Sequence, residues 1–182
     1  MLDSQLIAKA AVFAAKAHAK QVRKYSGDPY IVHPLHVASI VATVPHSADM
    51  VAAAMLHDTV EDCGVTYEEL RQQFGHEVED LVFWLTDPPK GTSGLNRAQR
   101  KAACRERMEI APAEAQTIKY ADLLSNGPSI IANDPDFAKV YIGEMTALLN
   151  VITRGDIALR TQCWDMINDY HNGYRWEEEK HV

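Results

Sequence analysis

The sequence predicts an all-α protein, built as a bundle of about eight to ten helices. Apolar residues recur at spacings of three and four positions along most of the chain, which is typical of helices with one buried face. Alternation of apolar and polar residues never continues beyond a few positions, so strands are not indicated. Proline, glycine and capping residues divide the pattern into segments of helical length.

Helix boundaries are predicted from prolines, glycines and polar side chains that accept from free backbone N–H groups. Ser47 or Asp49 can cap the third helix, and Thr66 opens the fourth as part of a capping box. Pro112 and Pro135 stand at first-turn positions, where proline is tolerated. The predicted helices cover about 3–20, the stretch between Pro34 and Pro45, 47–63, 66–75, a segment through LVFWL, 95–109, 112–125, 135–152 and 156–171.

The composition is that of a single globular domain over residues 1–182, with 47% apolar and 24% charged residues. The net charge of −7 argues against a nucleic-acid partner, although a polyanionic small molecule can bind at a locally basic site. No apolar run approaches the roughly 18 residues of a membrane span. We therefore expect a cytoplasmic protein with no membrane partner and reduced cysteines, and the sequence leaves a homo-oligomer open.

The segment MLHDTVED places chemistry-bearing side chains at the end of an otherwise apolar helix. On a continuous helix, His57, Asp58, Glu61 and Asp62 fall within an arc of roughly 140°, so that all four face one cleft. The helix macrodipole disfavours carboxylates at a helix C-terminus, so stability alone does not account for them. The alternative is a solvated acidic helix end.

Two distant segments favour the functional interpretation. His33 lies among apolar residues in PYIVHPLHVA, where a lone histidine is more often a core residue bonded to backbone. Asp122 interrupts an apolar helical face, and a buried carboxylate needs a cation, a metal or several donors. With His57 and Asp58, these residues supply two nitrogens and two anionic oxygens, a suitable set for a divalent metal.

Three segments carry a resemblance to a known family: RKYSGDPYIVHPLHVA, AAMLHDTVEDCGVTYEELRQQFG and IKYADLLSN, in that order across about 20–130. The chain resembles the HD superfamily, and within it the hydrolase domain of Rel/Spo-type alarmone enzymes and the stand-alone metazoan-type small alarmone hydrolases. The resemblance implies an HD-type phosphohydrolase domain with its motif core at about 20–130 and further helices at 135–175. Only hydrolysis is expected, because the remaining chain is too short for a synthetase domain.

The resemblance also implies roles for individual residues. It implies one divalent metal ion, usually manganese, held by His33, His57, Asp58 and Asp122. Glu61 and Asp62 are then the catalytic pair that positions and activates the attacking water. Arg23 and Lys24 match a basic pair at the nucleotide pocket, and Asn126 matches an asparagine that contacts the nucleotide.

Other positions carry weaker signals. Arg97 and Lys101 belong to a basic helix face, which is ordinarily solvated, but they are candidates for neutralising substrate phosphates. His36 is on a face next to that of His33 and is a secondary candidate for the site. Leu124 and Ser125 depart from the family, which has a basic residue at the first of these positions. We therefore expect a looser preference for guanine over adenine.

The predicted function is removal of the 3′-diphosphate from (p)ppGpp, and also from (p)ppApp if the base pocket is loose, to give the 5′-nucleotide and pyrophosphate. One alternative is another HD phosphatase, acting on a nucleoside monophosphate or NADPH. A second alternative is a non-catalytic module that binds a nucleotide. The presence of the complete ligand set and of both acidic residues favours an enzyme.

Overall fold

A computed structural model describes residues 2–87, 94 and 96–173, and these residues form ten α-helices. The only β pairing among them is an isolated antiparallel bridge between Val22 and Pro29, so the prediction of an all-α fold is confirmed. The helices are α1 (Asp3–Ala17), α2 (Val32–Val41), α3 (Ala48–Leu56), α4 (Thr59–Cys63), α5 (Tyr67–Phe74), α6 (His76–Leu85), α7 (Arg97–Ile110), α8 (Ala113–Asn133), α9 (Pro135–Leu149) and α10 (Ile157–His171).

Helix α3 lies at the centre of the first half of the bundle. It packs against α1, α2 and α6, and seven of its nine residues, 50–56, are buried. A helix that is apolar on all sides is stable only when it is enclosed by others. The alanines at 52–54 are fully buried and let neighbouring helices approach closely.

Helix α8 organises the second half. It packs against α2 and α6 on one side and against α9 and α10 on the other. Gly127 lies where a Cβ atom would meet the flexible end of the Met166 side chain, so α8 and α10 approach closely at this position. Since α2 contacts both α3 and α8, it joins the two halves of the bundle.

Several predicted caps are present in the structure. Ser47, rather than Asp49, caps α3 by accepting from the backbone N–H of Met50. Thr66 accepts from the backbone N–H of Glu69 at the start of α5. Asp134, directly before the predicted start at Pro135, also accepts from the backbone N–H of Phe137 in α9. Short-range chemistry therefore sets these helix ends.

Other boundaries differ from the prediction. The first helix ends at Ala17 instead of about 20, and α8 continues to Asn133 instead of ending at about 125. Pro128 lies inside α8, although a proline in a helix interior removes one backbone hydrogen bond. The C-terminal helices are predicted over 135–175, and residues 174 and 175 lie outside the described part of the chain. Residue 95, the predicted start of the helix over 95–109, also lies outside it.

The third predicted helix is broken at the most informative position. It ends at Leu56, His57 and Asp58 form a turn, and α4 begins at Thr59. Side chains compete here with the helical backbone, because Thr59 Oγ1 donates to the carbonyl of Leu56 at 2.7 Å. The expectation of one helical face shared by four residues is therefore wrong. Glu61 and Asp62 lie in α4, a separate helix of five residues, and not at the C-terminus of one long helix as expected.

Among the described helices, none is both long enough and apolar enough to cross a membrane.

The loop between α9 and α10 closes tightly over α8, which leads to a stability prediction. A Cβ atom on Gly155 would lie 2.6 Å from the ring of Tyr120 and 2.8 Å from the backbone nitrogen of Thr117. We expect Gly155→Ala to destabilise the protein by about 1–3 kcal/mol, because the helix backbone cannot move away. Thermal unfolding measures the effect.

Gly143→Ala is the matched control. Gly143 lies within α9, and a Cβ atom at this position would have no neighbour within 4 Å, so the same substitution should stabilise that helix by up to about 1 kcal/mol. Equal stability of the Gly155→Ala protein and the parent would contradict the tight loop packing.

Candidate metal centre and active site

Four side chains from three parts of the fold converge in the interior. His33 comes from the first turn of α2, His57 and Asp58 from the turn between α3 and α4, and Asp122 from the middle of α8. His57 Nε2 lies 3.2 Å from Asp58 Oδ2, and His33 Nε2 lies 3.3 Å from Asp122 Oδ1. The cross distances are 3.7 Å from His33 to Asp58 and 3.8 Å from His57 to Asp122.

The outer nitrogens of both imidazoles are held, which turns their Nε2 atoms toward the carboxylates. His57 Nδ1 lies 2.8 Å from the carbonyl oxygen of Ala54, to which it donates. His33 Nδ1 lies 2.9 Å from the hydroxyl of Ser125. Histidines that bind metals are ordinarily held in this way, with one ring nitrogen bonded to a second partner and the other nitrogen left for the ion.

His33, His57 and Asp58 can hold a metal ion, because one ligand atom from each lies within 4.8 Å of the other two. Asp122 is a fourth candidate, since it contacts both rings. The Nε2 atom of His57 is buried, and no described residue meets it in hydrogen-bond geometry, although Asp58 is near. A cation between the side chains would satisfy that nitrogen, and the N/O donor set suits a divalent metal.

The electrostatics of the cluster also favour a cation. Burial lowers the pKa of His57, but the charges of Asp58 and Asp122 outweigh it and raise this pKa to about 9. Burial raises the pKa of Asp58, but the neighbouring His57 lowers it more, so the carboxyl group titrates below its usual range. Both aspartates are therefore ionised at neutral pH and attract positive charge.

Asp122 has two further partners. Lys119 Nζ donates to Asp122 Oδ2 at 2.8 Å, and Asn126 Nδ2 donates to Asp122 Oδ1 at the same distance. Burial raises the pKa of Asp122, but Lys119 first, and then the histidines, lower it well below its ordinary value. The expectation that Asp122 needs a cation or several donors is thus met from within the protein. Arg23 extends this hydrogen-bond network by donating to Asn126 Oδ1 at 3.0 Å.

Two residues that support the cluster, Tyr30 and Lys119, were not identified from the sequence. Tyr30 donates its hydroxyl proton to Asp58 Oδ2 at 2.7 Å, and Lys119 forms the buried ion pair with Asp122. Each stands three positions before a candidate ligand, Tyr30 before His33 and Lys119 before Asp122, inside segments that carry the family resemblance. In a helix, residues three apart are neighbours, and this spacing was the available signal for Lys119.

Glu61 and Asp62 lie one turn beyond Asp58. The backbone N–H of Asp62 donates to the backbone carbonyl of Asp58 at 2.9 Å. The backbone carbonyl of Asp62 accepts from the side-chain amide of Gln21. Glu61 is half-buried and Asp62 is exposed, and both make interactions with their surroundings. The charge of Asp62 contributes to the raised pKa of Tyr30, which indicates that this carboxylate is near the cluster.

A cavity of about 130 Å³ adjoins Asp122 between α7, α8 and α9. Its volume is below the roughly 300–1,000 Å³ of typical ligand pockets, so it holds only part of a nucleotide-sized molecule. Its polar and charged walls include Lys101, Arg105, Lys119, Asn126, Tyr141 and Glu144.

The predicted basic residues are brought together only in part. Arg23 and Asn126 join the shell around Asp122, and Lys101 lines the cavity, where it pairs with Asp87 at 2.7 Å. Lys24 pairs with Asp134 at 2.9 Å, and Arg97 pairs with Glu144 at 2.7 Å.

The two departures from the family pattern lie away from this cavity. Ser125 contacts His33 and His36, so His36 reaches the shell behind the cluster rather than the cluster itself. Leu124 lines a separate groove with His36, Ile40 and Pro128. Their positions give no support to the expected change in base preference.

An all-α fold with an interior cluster of histidines and aspartates able to hold a metal ion defines the class of helical domain, and the comparisons identify the family. A model of the HD domain matches residues 10–121, so the chain belongs to the HD-domain family. A Xenopus tropicalis protein, named guanosine-3′,5′-bis(diphosphate) 3′-pyrophosphohydrolase MESH1, is 42% identical over 130 residues, which are 68% of this chain and 69% of that protein.

Longer relatives match over the same region. A Myxococcus xanthus protein named GTP pyrophosphokinase is 39% identical over 129 residues, and a guanosine-3′,5′-bis(diphosphate) 3′-pyrophosphohydrolase from Aquifex aeolicus is 37% identical over 123 residues. The matched region covers 68% and 66% of this chain, respectively. The chain spans only 17% of the length of each of these two relatives.

Solved structures share the architecture. A metazoan ortholog of SpoT, described as hydrolysing ppGpp, superposes with a TM-score of 0.80 at 25% identity, covering 93% of this chain and 96% of that one. A protein from Listeria monocytogenes superposes with a TM-score of 0.66 at 26% identity, covering 80% of this chain and 97% of that one.

The buried ion pair between Lys119 and Asp122 should contribute more to the stability of the protein than an exposed ion pair does. Lys119→Met leaves a buried carboxylate without its cation, so we expect a loss of about 3–5 kcal/mol in metal-free buffer, measured by thermal unfolding. A divalent metal should restore part of that loss, because it supplies charge beside the same carboxylate.

Lys139→Met is the control, because Lys139 also pairs with an aspartate three positions away, but both partners are exposed. It should change stability little. If the two variants unfold at the same temperature in chelator, the Lys119–Asp122 pair contributes no more to stability than the exposed pair does.

Proposed function

We propose that this chain is a divalent-metal-dependent hydrolase that removes the 3′-diphosphate from ppGpp. The single observation that carries the proposal is the buried His33–His57–Asp58–Asp122 cluster, with its inward-facing ring nitrogens and ionised carboxylates. The names of the relatives from Xenopus tropicalis and Aquifex aeolicus support the substrate, as does the ppGpp hydrolysis ascribed to the metazoan structure.

The four residues of the cluster are the proposed metal ligands. Support comes from the orphaned Nε2 of His57 and from Asp122, which contacts both rings. A divalent ion bound there would act as a Lewis acid on a phosphoryl oxygen and lower the pKa of a bound water. We propose manganese because the resemblance to the Rel/Spo-type hydrolases implies this ion, and the two carboxylates of the cluster are compatible with it.

Glu61 and Asp62 are proposed to orient the attacking water and to take its proton. Their position in α4, one turn beyond Asp58, supports this role, as does the greater exposure of Asp62. The oxygen of the water attacks the phosphorus bonded to the 3′-oxygen. That P–O bond breaks, its electron pair stays on the 3′-oxygen, which takes a proton, and the products are GDP and pyrophosphate.

Substrate phosphates are proposed to be bound by basic side chains around the cavity. Arg23, Lys101 and Asn126 are favoured, since they lie in the Asp122 shell or line the cavity beside it. Lys24 and Arg97 are proposed contacts farther out, where each is at present paired with an acidic residue. Binding a polyanion would replace these carboxylates as partners.

A direct turnover panel tests the function. The chain, stripped of metal and then supplied with Mn²⁺, is offered ppGpp, pppGpp, ppApp, NADPH and nucleoside monophosphates. We expect pyrophosphate and GDP from ppGpp only after metal is added. Metal-dependent turnover of another compound of the panel alone would identify a different HD phosphatase. Absence of turnover with every compound would indicate a binding module.

Alanine in place of any one of the four proposed ligands should remove metal binding and turnover together, because each ligand contributes to one ion. Metal content after dialysis and ppGpp turnover are the two measurements. His46→Ala is the control, since His46 is exposed and contacts only the carbonyl of Val44 among the described bonds. Full metal content and activity in Asp122→Ala would show that Asp122 is not a ligand.

Glu61→Gln and Asp62→Asn should lower the turnover rate by about 10²–10⁴-fold while metal and substrate still bind, because these residues act on the water. Glu68→Gln, on the exposed side of α5, is the matched control and should leave the rate unchanged. Loss of metal from the Glu61→Gln protein would instead identify Glu61 as a ligand.

A further inference from the structure

The hydroxyl of Ser125 lies between two imidazoles. Ser125 Oγ is 2.9 Å from His33 Nδ1 and 3.0 Å from His36 Nδ1. His33 and Ser125 are buried, with exposed fractions of 2% and 8%, whereas His36 reaches the surface. A serine within a helix can donate its proton to a carbonyl of the preceding turn, whereas the Ser125 hydroxyl lies within hydrogen-bond distance of two rings.

The number of available protons determines which group donates in each of these two hydrogen bonds. If His33 offers the lone pair of Nε2 to a metal, its neutral ring carries the proton on Nδ1 and donates it to Ser125 Oγ. The single hydroxyl proton of Ser125 is then available to His36 Nδ1, which must accept. His36 therefore carries its own proton on Nε2.

The surroundings of His36 favour that state. Its ring borders an open groove lined also by Gln162, Asp165 and Asp169, so Nε2 has access to water and to polar side chains. Burial lowers the pKa of His36 below its ordinary value, which favours the neutral ring.

We propose that Ser125 and His36 are positioning residues that fix the tautomer and ring orientation of His33 through a directional hydrogen-bond chain, His33 to Ser125 to His36. This inference rests on the proposed metal centre, since His33 must present Nε2 to the ion. It assigns a role to the two positions, Ser125 and His36, that the cavity and the cluster leave without one.

Metal affinity is the first test, measured by titrating Mn²⁺ into the metal-free chain in a calorimeter. Ser125→Ala should weaken binding by about 10–100-fold, because outer-shell partners of ligating histidines have effects of this size. His36→Ala should weaken it by about two- to tenfold, the equivalent of one neutral hydrogen bond. His36→Asn should restore most of the affinity, since its amide oxygen can accept near the position of Nδ1.

The double variant distinguishes a chain from two separate contacts. With Ser125 absent the chain is already broken, so Ser125→Ala/His36→Ala should bind Mn²⁺ no more weakly than Ser125→Ala alone. Ser39→Ala is the control, because its exposed hydroxyl lies on the same helix and donates only to the backbone carbonyl of His36 among the described bonds. It should bind metal as the parent does.

A purely structural role predicts another pattern. If Ser125 only tethers α2 to α8, Ser125→Ala lowers the unfolding temperature in chelator but leaves the Mn²⁺ affinity of the folded protein unchanged, and the proposal is overturned. If the parent chain binds no Mn²⁺, the proposed metal centre fails together with this inference. Normal parent affinity with unchanged affinity in Ser125→Ala removes the inference alone.

Nitrogen-15 NMR of histidine-labelled protein gives a readout independent of activity. With Zn²⁺ as a diamagnetic ion, His33 should carry its proton on Nδ1 and His36 on Nε2. A proton on His36 Nδ1 would contradict the chain, because Ser125 could then only accept from both rings.

Discussion

Two carboxylates, Asp58 and Asp122, are held ionised in the interior of a helical bundle, and the surrounding contacts follow from this requirement. Burial alone would favour their neutral forms. Asp58 is stabilised by His57 and by the hydroxyl of Tyr30, and Asp122 by Lys119 and Asn126. Because the carboxylates stay charged, they attract a cation at the point where the two imidazoles meet.

Helix packing delivers these groups to one place. The small, fully buried alanines of α3 allow close packing against α1 and α2, and α2 also packs on α8. The ligands of α2 and α8 therefore approach the turn at the end of α3. His57 and Asp58 keep right-handed helical backbone angles within that turn, between the end of α3 and the start of α4.

Three of the candidate phosphate-binding residues are already paired with acidic side chains. Lys24, Arg97 and Lys101 pair with Asp134, Glu144 and Asp87, respectively. On the proposed function, a polyanionic substrate would exchange these partners instead of meeting free cations. Such an exchange limits binding of ordinary anions, because only a ligand with several phosphates can replace several carboxylates at once.

The sequence by itself determined the all-α class, the cap at Thr66, a cap at either Ser47 or Asp49, and the membership of the His33–His57–Asp58–Asp122 cluster. These features depend on local periodicity, on hydrogen bonds within one turn, and on residue types that are costly in an apolar face. Assignment of the ligand set also depended on the family resemblance, and the HD-domain match from 10 to 121 confirms the family.

Only the tertiary structure decided where the third predicted helix breaks and which side chains support the cluster. Arg23 and Asn126 are 103 positions apart, and His36 and Ser125 are 89 apart, so no local pattern indicates that they meet. The same holds for the acids that pair with Lys24 and Arg97, 110 and 47 positions away. Such contacts depend on how helix faces pack in three dimensions, and a sequence period defines a face without defining its neighbour.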